Sequence, residues 1–290
     1  MNLHGLRVFY HVCNHNSFSR AAQAMFISQP AVSKAVKELE HVTGLPLIYR
    51  AARGKGIQLT EAGQALYEHA RGIFSLEQAA REDLKARAGL QRGTLVVGAS
   101  TTVASYWLAS VIARFRQAHP AIEIRLSVAN SAHIEQALLA CEVDLAFVEG
   151  KIDHPAITCN FWQHDPLCIV APANAPTTFT KACLAEQTWL LREAGSGTLS
   201  VMTNYLREQN IATPHTIELG SNEAIIQAVA CGLGLSIVPR VVAAERLALN
   251  KIQYITIPGG ELPGPRPLYY LRFHNRPLTP AAQQFLTLAH

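Results

Sequence analysis

Long apolar runs are missing from this chain of 290 residues, which excludes several classes of protein. No apolar stretch approaches the roughly 20 residues that a membrane-spanning helix needs, so we expect no membrane partner. The N-terminus does not read as a secretory signal peptide, because its apolar face is interrupted by Arg7, His11, Asn14 and Asn16. Since 49% of the residues are hydrophobic, the chain can form packed domains, and we predict a soluble, cytoplasmic protein.

The cysteines lack the pattern of a small disulfide-bonded scaffold. They are Cys13, Cys141, Cys159, Cys168, Cys183 and Cys231. Cys159, His164 and Cys168 are spaced loosely enough to be metal ligands, and His11 and His15 stand one helical turn apart. Zinc sites generally use four converging ligands, so we expect neither set to bind a metal. Reversible thiol oxidation remains an alternative, because it needs only an accessible cysteine of low pKa and a resolving partner.

Catalytic motifs are also missing. A nucleophilic enzyme needs a serine or cysteine with a histidine within reach. Ser196 lies between Gly195 and Gly197 but lacks the flanking spacing of a nucleophile elbow, and no Asp–His pair follows the predicted strands in the expected order. We therefore predict that the protein is not an enzyme and needs no cofactor.

Acidic residues are scarce in the first 60 positions. This segment has seven lysines and arginines against two acidic residues, Glu38 and Glu40, for a net charge of +5. Residues 91–290 carry fourteen of each sign and are neutral overall. A basic excess confined to one end of a chain is typical of a nucleic-acid-binding module.

The pattern within residues 17–60 predicts two short helices joined by a tight turn. Their shared core is predicted from apolar residues at helical spacing, namely Ala21, Ala22, Val32, Val36 and Leu39. Pro30 suits the first turn of the second helix, where a missing N–H costs nothing. An ordinary amphipathic helix pair would give a similar pattern, but the charge distribution favours a helix-turn-helix that binds DNA.

The exposed N-terminal half of the second helix is the part of a recognition helix that meets base edges and phosphates. The residues predicted to contact DNA are Gln29, Ser33, Lys34 and Lys37 on this helix and Arg50 and Arg53 on a basic wing that also includes Lys55. The wing precedes a long helix, about residues 61–88, with no proline. A stripe of mostly apolar residues runs along this helix: Leu66, His69, Ile73, Leu76, Ala80 and Leu84. A packed core helix would show a similar stripe, but the length and the charged remainder of this helix favour pairing with a second copy.

Five short motifs carry a family resemblance. They are Ser19-Arg20-Ala21-Ala22, Ser28-Gln29-Pro30-Ala31-Val32-Ser33, Leu39-Glu40, Gly44-Leu45-Pro46-Leu47 and Leu59-Thr60-Glu61-Ala62-Gly63. In this order they resemble the LysR-type transcriptional regulators, and the resemblance continues over nearly the whole chain. It matches Gln29, Pro30, Ser33 and Lys34 to recognition-helix positions that approach bases, and Arg53 to a wing position that enters a minor groove. The segment 51–56 is about two residues longer than the common pattern.

The resemblance implies an all-α winged helix-turn-helix with a long linker helix, followed by an α/β, two-lobed effector domain like a periplasmic binding protein. It implies promoter DNA, a small-molecule effector and further copies of the chain as partners, with a dimer through the linker helix and a tetramer beyond it. RNA polymerase is a further candidate partner. The expected domains are 1–60, a linker helix 61–88, a hinge 89–93 and an effector domain 94–290, whose lobes are 94–162 with 267–290, and 163–266.

Beyond residue 94, strand patterns alternate with helix patterns, which predicts parallel sheets with helices on both faces. Ligands of such sheets bind beyond the carboxyl ends of the strands. The residues predicted there are Ser100, Thr101, Thr102, Asn130, Glu149, Glu193, Ser196, Gly197, Thr198 and Ser221. Any one of the hydroxyl or amide groups could simply cap a helix. Together, hydroxyl-rich and glycine-rich helix N-termini favour a small anion or a carboxylate as the ligand.

Two of these residues are unfavourable for a pure anion site. Glu149 and Glu193 must turn away, be neutralised by Arg192, or hydrogen-bond to a protonated part of the ligand. Three stretches, 98–102, 192–198 and 219–225, are similar to regulators of sulfur assimilation and carbon fixation, of the CysL, YeiE and CbbR type. That similarity implies Ser100, Thr102, Ser196 and Thr198 as polar contacts and sulfite or sulfate as candidate ligands. We therefore predict a transcriptional regulator that senses a small anion, with redox sensing through cysteines as the alternative.

Overall fold

The computed structural model describes residues 1–49, 57–87, 93–274 and 276–290. The predicted wing residues Arg50 and Arg53 and residues 89–92 of the predicted hinge lie outside these ranges. The chain divides into two compact units, Met1–Leu84 and Lys85–His290. Within the described ranges, each helix is too short or too polar to cross a membrane.

The N-terminal unit begins with three helices, each started by a side-chain cap. They are α1 (Leu3–Asn14), α2 (Phe18–Ala24) and α3 (Gln29–Thr43). Asn2, Ser17 and Ser28 each accept a hydrogen bond from the N–H three residues later, which satisfies a donor that the helix itself leaves unpaired. Gly44 ends α3 with a φ of +69°, a conformation that glycine adopts without strain.

The helix-turn-helix core contains all five residues predicted for it. Ala21, Ala22, Val32, Val36 and Leu39 are each at most 4% exposed. They pack with Phe9 of α1 and with Leu47. The Glu40 side chain accepts hydrogen bonds from the N–H groups of Leu47 and Ile48, and Ile48 forms an antiparallel bridge with Leu59. These contacts anchor both arms of the wing to α3.

A long helix, α4 (Glu61–Arg87), follows. One face packs on α1 of the same chain, where Ala70 and Phe74 lie against Leu6. Leu66, which was included in the predicted stripe, also contacts this core, because the first turns of α4 belong to the winged-helix unit. The rest of the stripe is exposed in the single chain: His69, Ile73, Leu76, Ala80 and Leu84.

The first lobe of the second unit is built on a five-stranded sheet in the order β2-β1-β3-β10-β4. Its strands are β1 (Gly93–Ser100), β2 (Ile122–Ala129), β3 (Leu145–Glu149), β4 (Ile157–Asp165) and β10 (Arg266–Phe273). Its helices are α5 (Ala109–Ala118) after a π-helical turn (Val103–Leu108), α6 (Ser131–Leu139) and α11 (Pro280–Ala289). The expectation of purely parallel sheets is wrong here, because β10 returns antiparallel to both β3 and β4.

The second lobe has a three-stranded sheet, β8-β5-β9, and a parallel pair, β6-β7, linked by a bridge between Trp189 and Leu235. Its strands are β5 (Leu167–Pro172), β6 (Thr188–Arg192), β7 (His215–Leu219), β8 (Ser236–Pro239) and β9 (Ile252–Tyr254). Its helices are α7 (Lys181–Ala185), α8 (Gly197–Glu208), α9 (Asn222–Ala230) and α10 (Arg240–Ala248). The chain leaves lobe I after Asp165 and returns at Arg266, and these two residues are paired in the ladder between β4 and β10.

Candidate functional site

The predicted DNA-contacting residues of α3 form one surface. Gln29, Pro30, Ser33, Lys34 and Lys37 line an open groove together with Glu38 and His41. The Lys34 side chain is 78% exposed, and its Nζ lies 3.7 Å from a Glu38 oxygen. An exposed ion pair of this kind is weak, so Lys34 can exchange it for a phosphate or a base at little cost.

A second candidate site lies between the two lobes of the effector unit. Ser100 ends β1, Glu149 ends β3, and Thr102 follows β1; all three belong to lobe I and are buried. Ser196 and Thr198, at the start of α8 in lobe II, are also buried. The sequence-predicted positions therefore include buried groups from both lobes.

Backbone contacts hold the lobes close together at this site. A Cβ atom on Gly197 would lie 2.7 Å from the carbonyl oxygen of Glu149, so only glycine fits there without a shift. The Asn130 side chain donates a hydrogen bond to the carbonyl oxygen of Ala194 at 3.3 Å. The N–H of Ala132 donates to the carbonyl oxygen of Gly195 at 3.2 Å.

Arg266 is at the centre of the site, although the sequence did not single it out. It is 1% exposed. Its Nε and Nη2 atoms both donate to Oδ2 of Asp165, at 2.9 and 2.7 Å. Its Nη1 atom donates to Oγ1 of Thr198 at 2.6 Å and lies 3.4 Å from Oε1 of Glu149. One guanidinium thus links two carboxylates of lobe I to the first turn of α8 in lobe II.

Asn222, the first residue of α9, makes a second link between the lobes. Its Nδ2 atom donates to Oγ1 of Thr102 at 2.7 Å and lies 3.4 Å from Oγ1 of Thr198. Asn222 was part of a noted motif but was not among the predicted site residues. Its neighbour Ser221 was predicted, because a serine between a predicted strand and a predicted helix marks the start of that helix. The burial of Asn222 one position later cannot be read from the sequence.

The carboxylates of the site are in different electrostatic environments. Burial raises the pKa of Asp165, and nearby Glu149 adds to this effect, although Arg266 acts in the opposite direction. Glu149 accepts a hydrogen bond from Ser131 Oγ at 2.7 Å. Burial also opposes ionisation of Glu193, but two hydrogen bonds from Arg192 outweigh it and lower the pKa of Glu193. Pairing with Arg192 was one of the outcomes expected for Glu193.

Helix capping explains some of the predicted residues and not others. The Asn130 and Ser221 side chains cap α6 and α9, accepting from the N–H groups of His133 and Ala224 at 3.0 Å each. Ser196 begins α8 without a side-chain capping bond. Thr101 is half-buried. The capping explanation therefore accounts for Asn130 and Ser221.

Three buried polar atoms in this site have no hydrogen-bond partner within the described part of the chain. They are Ser100 Oγ, Asn222 Oδ1 and Asp165 Oδ1. Leaving such an atom unpaired costs about 1–3 kcal/mol. Each of these atoms is a position where a bound polar molecule would restore a missing hydrogen bond.

The thiols considered for redox sensing are in apolar surroundings. Burial raises the pKa of Cys168 to about 12, and burial also raises the pKa of Cys159. Because the thiolate is the reactive species, both shifts oppose oxidation of these cysteines at neutral pH. Cys183 and Cys231 are exposed.

The chain is similar to known proteins over nearly its whole length. Residues 3–64 match the model described as bacterial regulatory helix-turn-helix protein, lysR family, and residues 88–290 match the LysR substrate binding domain. A RuBisCO operon transcriptional regulator of Allochromatium vinosum is 34% identical, over 98% of this chain and 94% of that protein. The uncharacterized HTH-type transcriptional regulator YeiE of Escherichia coli K12 is 33% identical, over 99% and 96%. The Synechocystis PCC6803 CcmR regulatory domain in complex with 2-PG is 27% identical, with a TM-score of 0.62, over 68% and 96%.

Proposed function

The chain belongs to the LysR family of transcriptional regulators, DNA-binding proteins with a ligand-binding domain, and we propose that its effector is a small anion held between the two lobes. The observation that carries this proposal is the set of unpaired buried atoms, Ser100 Oγ, Asn222 Oδ1 and Asp165 Oδ1, at a junction of both lobes. The hydroxyl groups of Thr102 and Thr198 accept hydrogen bonds from the Nδ2 atom of Asn222. A bound oxyanion or carboxylate that also carries a hydroxyl group or an acidic hydrogen would give these unpaired atoms partners from a single molecule, with Ser100 Oγ donating to it and the other two atoms accepting from it.

The start of α8 supports a negative charge on the effector. Helix N-termini attract anions through their unpaired N–H groups and the helix dipole. Ser196 does not cap α8 with its side chain. The close approach that Gly195 and Gly197 allow is to lobe I itself, at Ala132 and Glu149. Sulfite and sulfate are candidates from the subgroup resemblance, and the complex of CcmR with 2-PG adds 2-PG as a probe.

We assign DNA contact to the exposed groove of α3 and to the wing. Gln29, Pro30 and Ser33 approach base edges, Lys34 and Lys37 contact bases or phosphates, and Arg50 and Arg53 stay the predicted contacts of the wing. The exposed stripe of α4 from His69 to Leu84 pairs with a second copy, which places two recognition helices on one operator. A tetramer and contact with RNA polymerase are proposed from the family resemblance alone. Ligand binding then favours one arrangement of the subunits over another and changes the bend of promoter DNA.

Lys34→Ala is expected to weaken specific DNA binding about tenfold, because one direct contact contributes about 1–3 kcal/mol. The probe is a duplex enriched from a random-sequence library by the wild-type protein, and affinity is measured by fluorescence anisotropy at several salt concentrations. Lys181→Ala, an exposed lysine at the start of α7, is the control and should bind as wild type. Unchanged affinity of the Lys34 variant would rule out its assignment to the DNA interface.

Thermal unfolding against sulfite, sulfate, thiosulfate, phosphate, 2-PG and small carboxylates tests the anion proposal. A true effector should raise the Tm progressively with concentration, as linkage requires. Ser100→Ala combined with Thr198→Ala should blunt this shift while leaving DNA affinity intact. Thr203→Ala, an exposed position on the same helix α8, is the matched control. If no anion raises the Tm, the hydroxyl groups serve packing and capping, and redox sensing becomes the better hypothesis.

A further inference from the structure

The buried charges of the interlobe site do not balance. Arg266 supplies one positive charge, whereas Asp165 and Glu149 supply two negative charges when both are ionised. All three residues are at most 4% exposed, so water screens their interactions little. An anion that enters this site therefore adds negative charge to a group that is already negative by one.

The unpaired atoms are mostly acceptors. Asp165 Oδ1 belongs to a carboxylate whose other oxygen receives two hydrogen bonds from Arg266. Asn222 Oδ1 is left as an acceptor because its Nδ2 atom already donates to Thr102. Ser100 Oγ is the exception, since a hydroxyl group can either donate or accept. A ligand with oxygen lone pairs alone would face two of these three atoms with no hydrogen to share.

We propose that the effector site selects anions that carry their own hydrogen-bond donor, an acidic hydrogen or a hydroxyl group, and discriminates against anions that have none. Asp165 is the specificity-determining residue, with Asn222 as the second acceptor. This proposal rests on the anion-binding function proposed above. It favours phosphate-like anions, hydrogensulfite and hydroxy acids over sulfate and simple carboxylates.

Protonation of Asp165 is the route by which a donor-free anion can still bind. The ionisable groups that face Asp165 are Arg266 on β10, Glu149 at the end of β3, and Cys168 on β5. Cys168 stays neutral, because burial raises its pKa to about 12. Burial raises the pKa of Asp165 as well, so this carboxyl takes up a proton at higher pH than an exposed aspartate does. Sulfate binding should therefore strengthen as the pH falls.

Phosphate and sulfate are the decisive probes, because they share size and tetrahedral shape but only phosphate retains a hydrogen at neutral pH. We expect the full-length wild-type protein to bind phosphate at least about tenfold more tightly than sulfate at pH 7 and constant ionic strength, a difference of about 1.4 kcal/mol. Glycolate, which has a hydroxyl group, should likewise bind more tightly than acetate, which has none. Calorimetry of sulfate binding in two buffers of different ionisation enthalpy should show proton uptake.

Asp165→Asn replaces a pure acceptor by an amide that can donate. This variant should bring the affinities for sulfate and phosphate to within about threefold of each other, and should abolish the pH dependence of sulfate binding. Asp153→Asn, at an exposed loop position, is the control and should retain the wild-type ratio. Because loss of the partner of Arg266 can prevent folding, the wild-type comparison of phosphate with sulfate decides the question without the variant.

The possible outcomes separate the two proposals. Sulfate binding that equals or exceeds phosphate binding, without proton uptake, would overturn the role of Asp165 and leave the anion-binding function standing. No binding of these four anions, together with no stabilisation by any anion of the thermal-unfolding panel, would overturn both. A preference for phosphate and glycolate together with proton-coupled sulfate binding would support both.

Discussion

Replacing Arg266 by methionine is expected to destabilise the effector unit by about 3–5 kcal/mol, because it leaves two buried carboxylates without their counter-ion. Arg266 donates two hydrogen bonds to Asp165, one to Thr198, and lies 3.4 Å from Glu149. Methionine keeps much of the side-chain volume, so the decrease in the free energy of unfolding reports the contribution of the charge and the hydrogen bonds of Arg266. Urea unfolding followed by tryptophan fluorescence reports this unit alone, because all three tryptophans lie between residues 107 and 189.

The destabilisation should shrink as the pH falls. Burial raises the pKa of Asp165 and Arg266 opposes this shift, so removal of the guanidinium raises the pKa further, and protonation of Asp165 removes an unpaired charge at low pH. Arg125→Met is the matched control, since Arg125 pairs with Glu123 at the surface, with side chains 65% and 56% exposed. That variant should lose less than about 1 kcal/mol. An Arg266 variant as stable as the Arg125 variant would show that the central ion pair contributes little.

Gly63→Ala should disrupt the DNA-binding unit. A Cβ atom at this position would overlap the carbonyl oxygen of Leu47 and lie 2.9 Å from its carbonyl carbon. Leu47 cannot yield easily, because its side chain is 1% exposed in the core and its N–H donates to Glu40 at 2.8 Å. Overpacking of this kind costs about 1–3 kcal/mol, and more when the backbone must move. The higher helix propensity of alanine contributes only roughly 1 kcal/mol in its favour, so we expect a net destabilisation.

Gly72→Ala provides the control for Gly63→Ala within the same helix. No atom lies within 4 Å of a Cβ built on Gly72, so alanine there should stabilise α4 by about 0.5–1 kcal/mol. Hydrogen exchange of the α1 and α3 amides, measured by mass spectrometry, should rise sharply in the Gly63 variant and stay low in the Gly72 variant. Equal protection in the two variants would contradict the close contact with Leu47.

Local signals carried the prediction of the N-terminal unit. Ser17 and Ser28 cap their helices, Pro30 lies in the first turn of α3, and the core follows helical spacing, so each feature depends on residues a few positions apart. The long helix α4 could be predicted for the same reason. The sequence could not tell which apolar residues of α4 pack on the same chain and which are left exposed. Leu66 packs on the winged-helix core through contacts that depend on how α4 meets α1.

The chain's own residues therefore determined its class: a basic helix-turn-helix, a long amphipathic helix and alternating strands and helices, all encoded in short-range patterns. Tertiary structure alone decided the chemistry between the lobes. Arg266 meets Asp165 across 101 positions of sequence and Asn222 meets Thr102 across 120, and no local periodicity links residues so far apart. It also separated Asn130 and Ser221, which cap helices, from Ser100 and Ser196, which are buried without capping bonds. A hydroxyl group looks the same in sequence in either role, and only its burial and its partners distinguish them.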